Sequence, residues 1–253
     1  MDTSLEEAAR EARIANEREF HNARFSEETR EAQGKYYSSI AAGTRAFERR
    51  VKELARGSDV LEYGCGAAIQ GMQVAAIANT LTGIDISDVA IEDAQKAAAQ
   101  RGLTNTHYLT MDAEDMTFDE GSFDLVFGRG IIHHLDLDRC FASIARVLRP
   151  GGTAIFWEPL GHNPLINLYR DRTPEARTPD EHPLLKSDFA LAEKYFELGS
   201  SRFYGLSTLA AVPMRDTGFG TVMMKIAGGL DQALFKTPMR WMAWHTMMEL
   251  KKK

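Results

Sequence analysis

Cysteine is almost missing from this chain: Cys65 and Cys140 are the only two. Two isolated thiols make neither a disulfide framework nor a zinc site, and they suit a reducing, cytoplasmic setting. No run of about 18 apolar residues occurs, so no stable membrane insertion is expected. The acidic N-terminus lacks the apolar core of a secretory signal. A long basic run is also missing. Thirty Lys and Arg against 36 Asp and Glu leave a net charge of −6, which points away from nucleic acid as the main partner. No internal repeat is visible. What is present is ordinary for one large domain, or one domain with an insertion: 253 residues, 44% hydrophobic and 26% charged.

Residues 1–33 read as a charged helix with sparse apolar positions, among them Leu5, Ile14, Phe20 and Phe25. Its plain reading is a solvated helix. Its sharper reading is an arm that covers an active site or joins the subunits of a homo-oligomer. Gly34 breaks this pattern, and a helix follows over 44–56. From Asp59 strands and helices alternate. Strands are predicted at 59–63, 80–85, 105–110, 123–128 and 152–158, and helices at 67–79, 87–101 and 136–148. Gly102 is a plausible stop for the Ala-rich second of these helices, and Pro150-Gly151-Gly152 reads as a turn. Such alternation with short links implies a parallel sheet covered by helices on both faces. Residues 159–183 hold Pro159, Pro164, Pro174, Pro179 and Pro183, which predicts a long, partly rigid loop. An irregular helical insertion over 206–237 separates two further strands, at 196–204 and 239–249. The expected whole is a doubly wound, mostly parallel seven-stranded α/β sheet. Its divisions are an arm or lid over 1–56, a cofactor-binding core over 57–158 and a substrate-side portion over 159–253.

The densest information lies in Val60-Leu61-Glu62-Tyr63-Gly64-Cys65-Gly66 and, beyond a helix, Gly83-Ile84-Asp85-Ile86-Ser87. A strand runs into a glycine turn, and a second strand ends in an acid nineteen residues after Gly66. That is about the spacing at which a nucleotide-binding βαβ unit sets a carboxylate on ribose hydroxyls. A pyrophosphate site usually adds a third glycine, and Ile69 stands there instead. Glu62 would repel a pyrophosphate but suits a cationic ligand. Asp112, closing the third strand, supplies an acceptor near an adenine amino group. These features count against a nicotinamide-dependent oxidoreductase, and the intact acids at 85 and 112 count against a non-catalytic binding protein.

Together with Phe123-Asp124-Leu125-Val126, His133-His134-Leu135 and Leu148-Arg149-Pro150-Gly151-Gly152, this series resembles the class I S-adenosylmethionine-dependent methyltransferases. The resemblance is strong over about 58–158. It implies a Rossmann-like fold with S-adenosylmethionine as cofactor. Backbone at Gly64 and Gly66 would line the methionine part. Asp85 would accept from both ribose hydroxyls, with Ile86 on the adenine face. Asp112 would take the adenine amino group, with Ala113 backbone beside it. Arg129 would sit near the methionine part, and Tyr36 or Tyr37, with Tyr37 taken here, near its carboxylate. Ala68 stands where the family often has glycine, which is tolerable where the helix has already begun. The Glu-Pro-Leu-Gly-His-Asn-Pro loop and apolar tail resemble a bacterial subgroup of small-molecule enzymes, some of which methylate isoprenoids or other specialised metabolites at carbon.

A sulfonium is already a strong electrophile, so the fold implies the reaction and not the acceptor. Glu158, ending a buried strand at the ligand edge, is the candidate base; its plain role is to hold a loop amide. Of the two histidines, His134 is the more functional candidate. Arg170, Arg172, Arg177 and His182 either grip an anionic substrate or pair with nearby acids. His133, His134, Asp136 and Asp138 cluster, but neighbours diverge on a strand or helix, so no metal site is expected. Seven of eleven methionines lie beyond residue 203; they suit an apolar acceptor pocket or plain core. The expected activity is methylation of a small, rather apolar metabolite, with C-methylation of an isoprenoid as the specific form and O- or N-methylation as the alternative.

Overall fold

The computed structural model describes residues 10, 12–19, 22, 37–173, 181–214 and 216–253. Gly34, Tyr36 and Arg177, and most of residues 1–33, lie outside these. Helices α1 (Ala41–Leu54), α2 (Ile69–Ala75), α3 (Asp88–Gln100) and α4 (Leu137–Val147) alternate with strands β1 (Asp59–Tyr63), β2 (Thr80–Asp85), β3 (Thr106–Thr110), β4 (Phe123–Arg129) and β5 (Leu148–Pro159). Then come α5 (Pro164–Asp171), α6 (Lys186–Ala192), β6 (Phe196–Leu198), β7 (Arg202–Tyr204), α7 (Ser207–Ala211), α8 (Gly218–Leu234) and β8 (His245–Lys252).

The sheet order is β3-β2-β1-β4-β5-β8-β6, with β7 also paired to β8. The first five strands are parallel, and β8 runs antiparallel to β5. Eight strands form where seven are predicted, because the stretch 196–204 breaks into β6 and β7, which pair with opposite ends of β8. The last strand also starts later than predicted, since Pro238–Met242 is a 3-10 turn. The expected turn at Pro150–Gly152 lies within β5, where pairing with β4 shifts register between Phe123 and Leu125. The proline-rich loop contains a helix, α5. Asn163 caps it through Leu165 and Ile166 N–H, and Pro164 stands in the first turn, where its missing N–H costs nothing.

Strand periodicity sorts the core into two layers. Val60, Leu125, Phe127, Ile155 and Trp157 pack with α1, α2 and α3, whereas Leu61, Tyr63, Val126, Ala154 and Phe156 pack with α4 and α6. Ser87 caps α3 by accepting from Ala90 N–H at 3.1 Å, and Gly102 (φ +66°) follows its end. No helix among the described residues is long and apolar enough to cross a membrane.

Candidate active site

Between β1 and β4 the strand order reverses, and the connections leaving their carboxyl ends diverge. In open α/β sheets such a switch point is where ligands bind. Here a cavity of about 1350 Å³ opens, and Tyr37, Gly64, Gly66, Asp85, Ile86, Asp112, Ala113, Arg129 and His134 all line it. Glu158, the remaining residue singled out from the sequence, does not.

The turn after β1 is left-handed at Gly64 (φ +69°) and Gly66 (φ +51°), and a Cβ on Gly64 would fall 2.6 Å from Ile131 Cγ1. Ala68 is left-handed too, at φ 53° and ψ 29°, directly ahead of α2. The helix has therefore not begun at Ala68, and the alanine carries a backbone strain of about 1–2 kcal/mol. Asp85 braces the turn: its Oδ2 accepts from Gly66 N–H at 2.8 Å and its Oδ1 from Ser87 N–H at 2.9 Å. A carboxylate offers about four lone-pair sites, so Asp85 keeps acceptor capacity toward the cavity. Asp112 likewise accepts from Glu114 N–H at 2.8 Å.

Glu62 is buried at the cavity wall, and its Oε2 has no hydrogen-bond partner. Burial pushes its carboxyl up to about 8; the Gly71 backbone works against this, and the Asp85 charge adds to it. An unpaired carboxyl beside the glycine turn fits a ligand that brings a cation, as the ammonium of S-adenosylmethionine does, because a nearby positive charge favours its ionised form.

The arm is not merely solvated. Arg10 pairs with Asp112 and reaches Glu114 at 3.3 Å. Arg13 reaches Glu114 at 2.5 Å and donates to the His134 carbonyl at 3.0 Å. Helical residues 12–19 thus cover the cavity beside Asp112 and Glu114, and Glu17 on them is buried. No motif flags Arg10 or Arg13 in a sequence crowded with charge. Their partner Glu114 also accepts from Asp136 N–H at 2.7 Å.

Glu158 is fully buried behind the cavity. Its Oε1 accepts from Ile131 N–H (3.0 Å) and Ile132 N–H (3.3 Å), and its Oε2 takes the Nδ1–H of His133 at 2.6 Å. The expectation that Glu158 is itself the base is therefore corrected: neither oxygen faces the substrate space, and the carboxylate positions the His133 loop. His133, passed over in favour of His134, lines the cavity in front of it.

The two histidines also do not diverge. A 3-10 turn over Ile132–His134 brings their ring centroids to 4.1 Å with planes 40° apart. Asp136 and Asp138 lie elsewhere in role: one caps α4, the other binds Lys194 and Tyr195. Glu181 arrives instead, its Oε1 4.0 Å from His134 Nε2. Arg170 donates to the Leu160 carbonyl at 2.9 Å, and His182 pairs with Asp188 at 3.0 Å, so both have internal partners. His245 is buried against Trp157, with ring centroids 5.3 Å apart. Burial first, then the Arg170, His133 and Arg129 charges, hold its imidazole well below the ordinary range. None of the methionines beyond residue 203 lines the cavity; Met247 and Met248 are core on β8.

Known proteins fit this geometry. The methyltransferase domain family matches residues 61–156. Aklanonic acid methyltransferase DauC of Streptomyces sp. strain C5 is 35% identical over 114 residues, 44% of this chain and 52% of that protein. A sterol 24-C-methyltransferase of Aspergillus fumigatus is 30% identical over 164 residues, 62% of this chain and 40% of that protein. The chain thus spans about half the length, or less, of these curated relatives. Among solved structures, geranyl diphosphate C-methyltransferase of Streptomyces coelicolor A3(2), with Mg2+, geranyl diphosphate and S-adenosyl-L-homocysteine, superposes with a TM-score of 0.63 at 10% identity, covering 89% of this chain and 87% of that one. The [4+2]-cyclase SpnF does so at 0.57 and 19% identity, covering 82% and 80%. Those likenesses show the fold, which hosts more than one chemistry. With the domain match added to the acids and glycines that converge on one cavity, residues 61–156 are a methyltransferase domain of the class I S-adenosylmethionine-dependent family, and S-adenosylmethionine is its cofactor.

Proposed function

We propose that this chain methylates a small, largely apolar metabolite bound in the same cavity as the cofactor. One observation carries the reading. Pockets for a single small molecule run to about 300–1000 Å³, and this cavity, at about 1350 Å³, exceeds that. Its cofactor end is lined by Gly64, Asp85 and Asp112. Leu165, Ile166, Leu206, Leu209, Ala210 and Trp244 supply apolar wall.

When bound, S-adenosylmethionine supplies the electrophilic methyl group. The chain's own residues then have three tasks. Gly64 and Gly66 let backbone close on the ligand, and Asp85 and Asp112 orient it by accepting hydrogen bonds. Helical residues 12–19 cover the cavity and exclude water. The polar edge of His133 and His134 receives the acceptor's polar end and any proton it sheds, with Glu158 holding the His133 ring from behind.

Methylation at carbon, on an isoprenoid-like acceptor, is the specific form we favour. Tyr37 and Trp244 stack at 5.8 Å on the cavity wall, and aromatic faces stabilise positive charge developing on an alkene. A sterol C-methyltransferase among the relatives and a geranyl diphosphate C-methyltransferase among the structures support it. The His133–Glu158 pair supports a second reading, O-methylation with loss of a proton. Turnover of a panel of prenyl diphosphates, prenyl alcohols and phenols with methyl-labelled cofactor decides. A labelled C–CH₃ product from a prenyl compound is expected. Turnover confined to phenols, with label on oxygen, overturns the carbon reading, and no turnover on any acceptor overturns the activity.

A further inference from the structure

The polar edge of the cavity has the makings of a cation site. One potential ligand atom from each of His133, His134 and Glu181 lies within 4.8 Å of the others, in a buried or half-buried setting. A divalent ion bound at about 2.0–2.2 Å from each donor draws such atoms together with small side-chain movements.

Three features make this more than proximity. First, His133 has its Nδ1–H committed to Glu158 at 2.6 Å, and Glu158 is fully buried. That fixes the tautomer and leaves Nε2 with the lone pair, the arrangement in which a carboxylate stands behind a metal-bound imidazole. Second, the loop amides of Ile131 and Ile132 hold the other Glu158 oxygen, so the supporting carboxylate cannot rotate away. Third, Glu181 is held near the histidines by backbone: His182 N–H donates to the His133 carbonyl at 2.6 Å, and Leu184 N–H to the Pro159 carbonyl at 2.9 Å. His133, His134 and Glu181 all line the cavity.

We infer that His133, His134 and Glu181 bind a divalent transition-metal ion whose open positions face the methyl acceptor. Two imidazoles and one carboxylate suit Zn2+, Co2+, Mn2+ or Fe2+ better than Mg2+ or Ca2+, which take oxygen donors. Three protein ligands leave coordination positions for the substrate. The acceptor class follows: an otherwise apolar, isoprenoid-bearing enol or phenol, whose O–H proton is lost as the neighbouring carbon takes the methyl group and the carbon–sulfur bond breaks. With their lone pairs on the ion, neither imidazole takes the proton as the histidine edge would without metal: the ion holds that oxygen and lowers its pKa, and the acceptor's proton passes to solvent or buffer. This rests on the proposed reading of the cavity's histidine edge as the acceptor's polar end.

The test needs no acceptor. Full-length protein, freed of any affinity tag and stripped with a chelator, is titrated with Co2+, following visible absorption and calorimetry. One Co2+ per chain with ligand-field bands is expected, displaced by Zn2+. His134→Ala and Glu181→Gln should each weaken binding by at least about tenfold, and Glu158→Gln, which removes no proposed ligand, by about 10–100-fold. Binding of S-adenosyl-L-homocysteine to each variant, with circular dichroism, shows that the fold and cofactor end persist. No Co2+ binding below about 1 mM, or binding that all three variants leave unchanged, overturns the site. Either result leaves S-adenosyl-L-homocysteine binding intact, so a failed metal site and a failed methyl-transfer reading are told apart.

Discussion

Glu62 shows how a single side chain records the ligand it awaits. Its folded-state pKa, pushed to about 8 by burial, lies above the usual carboxylate value of 4.5. Below about pH 4.5 the group is protonated in both states and its contribution to stability is fully present. As pH rises through 4.5 toward 8 the unfolded chain ionises while the fold resists, so stability is lost across that window. Glu62→Gln should therefore melt several degrees higher than the parent at pH 8 without cofactor, since about 1 kcal/mol moves a midpoint about 2–4 °C at this size. The same substitution should weaken S-adenosyl-L-homocysteine binding at least tenfold. Melting curves at pH 4.5 and pH 8 check the first half; an equal gap at both values defeats it. Glu158 makes the opposite case, a buried carboxylate with every oxygen engaged. Glu158→Gln retains an oxygen for the Ile131 and Ile132 amides but loses the charge facing His133. Hydrogen bonds to charged groups contribute about 1.5–3 kcal/mol, so a stability loss of that order and a kcat lower by about 10–100-fold are expected, with KM for the cofactor nearly unchanged. Stopped assays at saturating cofactor measure this, and an unaltered kcat removes Glu158 from the reaction.

At the scale of elements, the βαβ core was legible and the covering segments were not. Strands 59–63, 80–85, 105–110 and 123–128 declare themselves as short apolar-rich stretches between turn residues, around Val60-Leu61, Leu81, Ile84, Tyr108-Leu109 and Leu125-Val126-Phe127, and Asp85 and Asp112 follow from the ends of the second and third. Ala68 misleads because backbone handedness leaves no trace in residue type once glycine is replaced. The His133–His134 geometry misleads for a related reason: a 3-10 turn places neighbouring side chains on one side, whereas strand or helix spacing separates them. Arg10, Arg13 and Glu181 were illegible because their partners lie about a hundred or fifty residues away, and only the tertiary fold brings them together. The arm's ion pairs carry a prediction. Arg10 sits on Asp112, which we propose accepts from the adenine amino group; on that reading the arm either shares the carboxylate with the cofactor or leaves when it exchanges. Replacing both Arg10 and Arg13 with alanine removes charge-assisted bonds to Asp112 and Glu114. Cofactor-product dissociation should accelerate at least about tenfold while the core's melting point shifts little. Stopped-flow release of S-adenosyl-L-homocysteine checks it, and an unchanged rate means the arm does not gate exchange.

The whole molecule couples these parts through the sheet. The strand order reverses between β1 and β4, and the cavity opens at their carboxyl ends, so a ligand there touches the turn after β1, the end of β2, the loop after β3 and the loop after β4 at once. Binding to the native state alone raises stability by about 2.7 kcal/mol when free ligand stands at 100 times its Kd. For a chain of 253 residues, that corresponds to a rise in Tm of about 5–11 °C. S-adenosyl-L-homocysteine and S-adenosylmethionine should both produce it. NAD and NADP should not, because their pyrophosphate meets Ile69 where a third glycine would stand and brings no cation to the buried Glu62 carboxyl. The contrast discriminates between two cofactors that share an adenosine, so it tests the turn and not merely Asp85 and Asp112, the acids proposed for ribose and adenine. A comparable rise with NAD would mean that the adenosine contacts alone govern binding, and that the Glu62 carboxyl contributes nothing to the choice of cofactor.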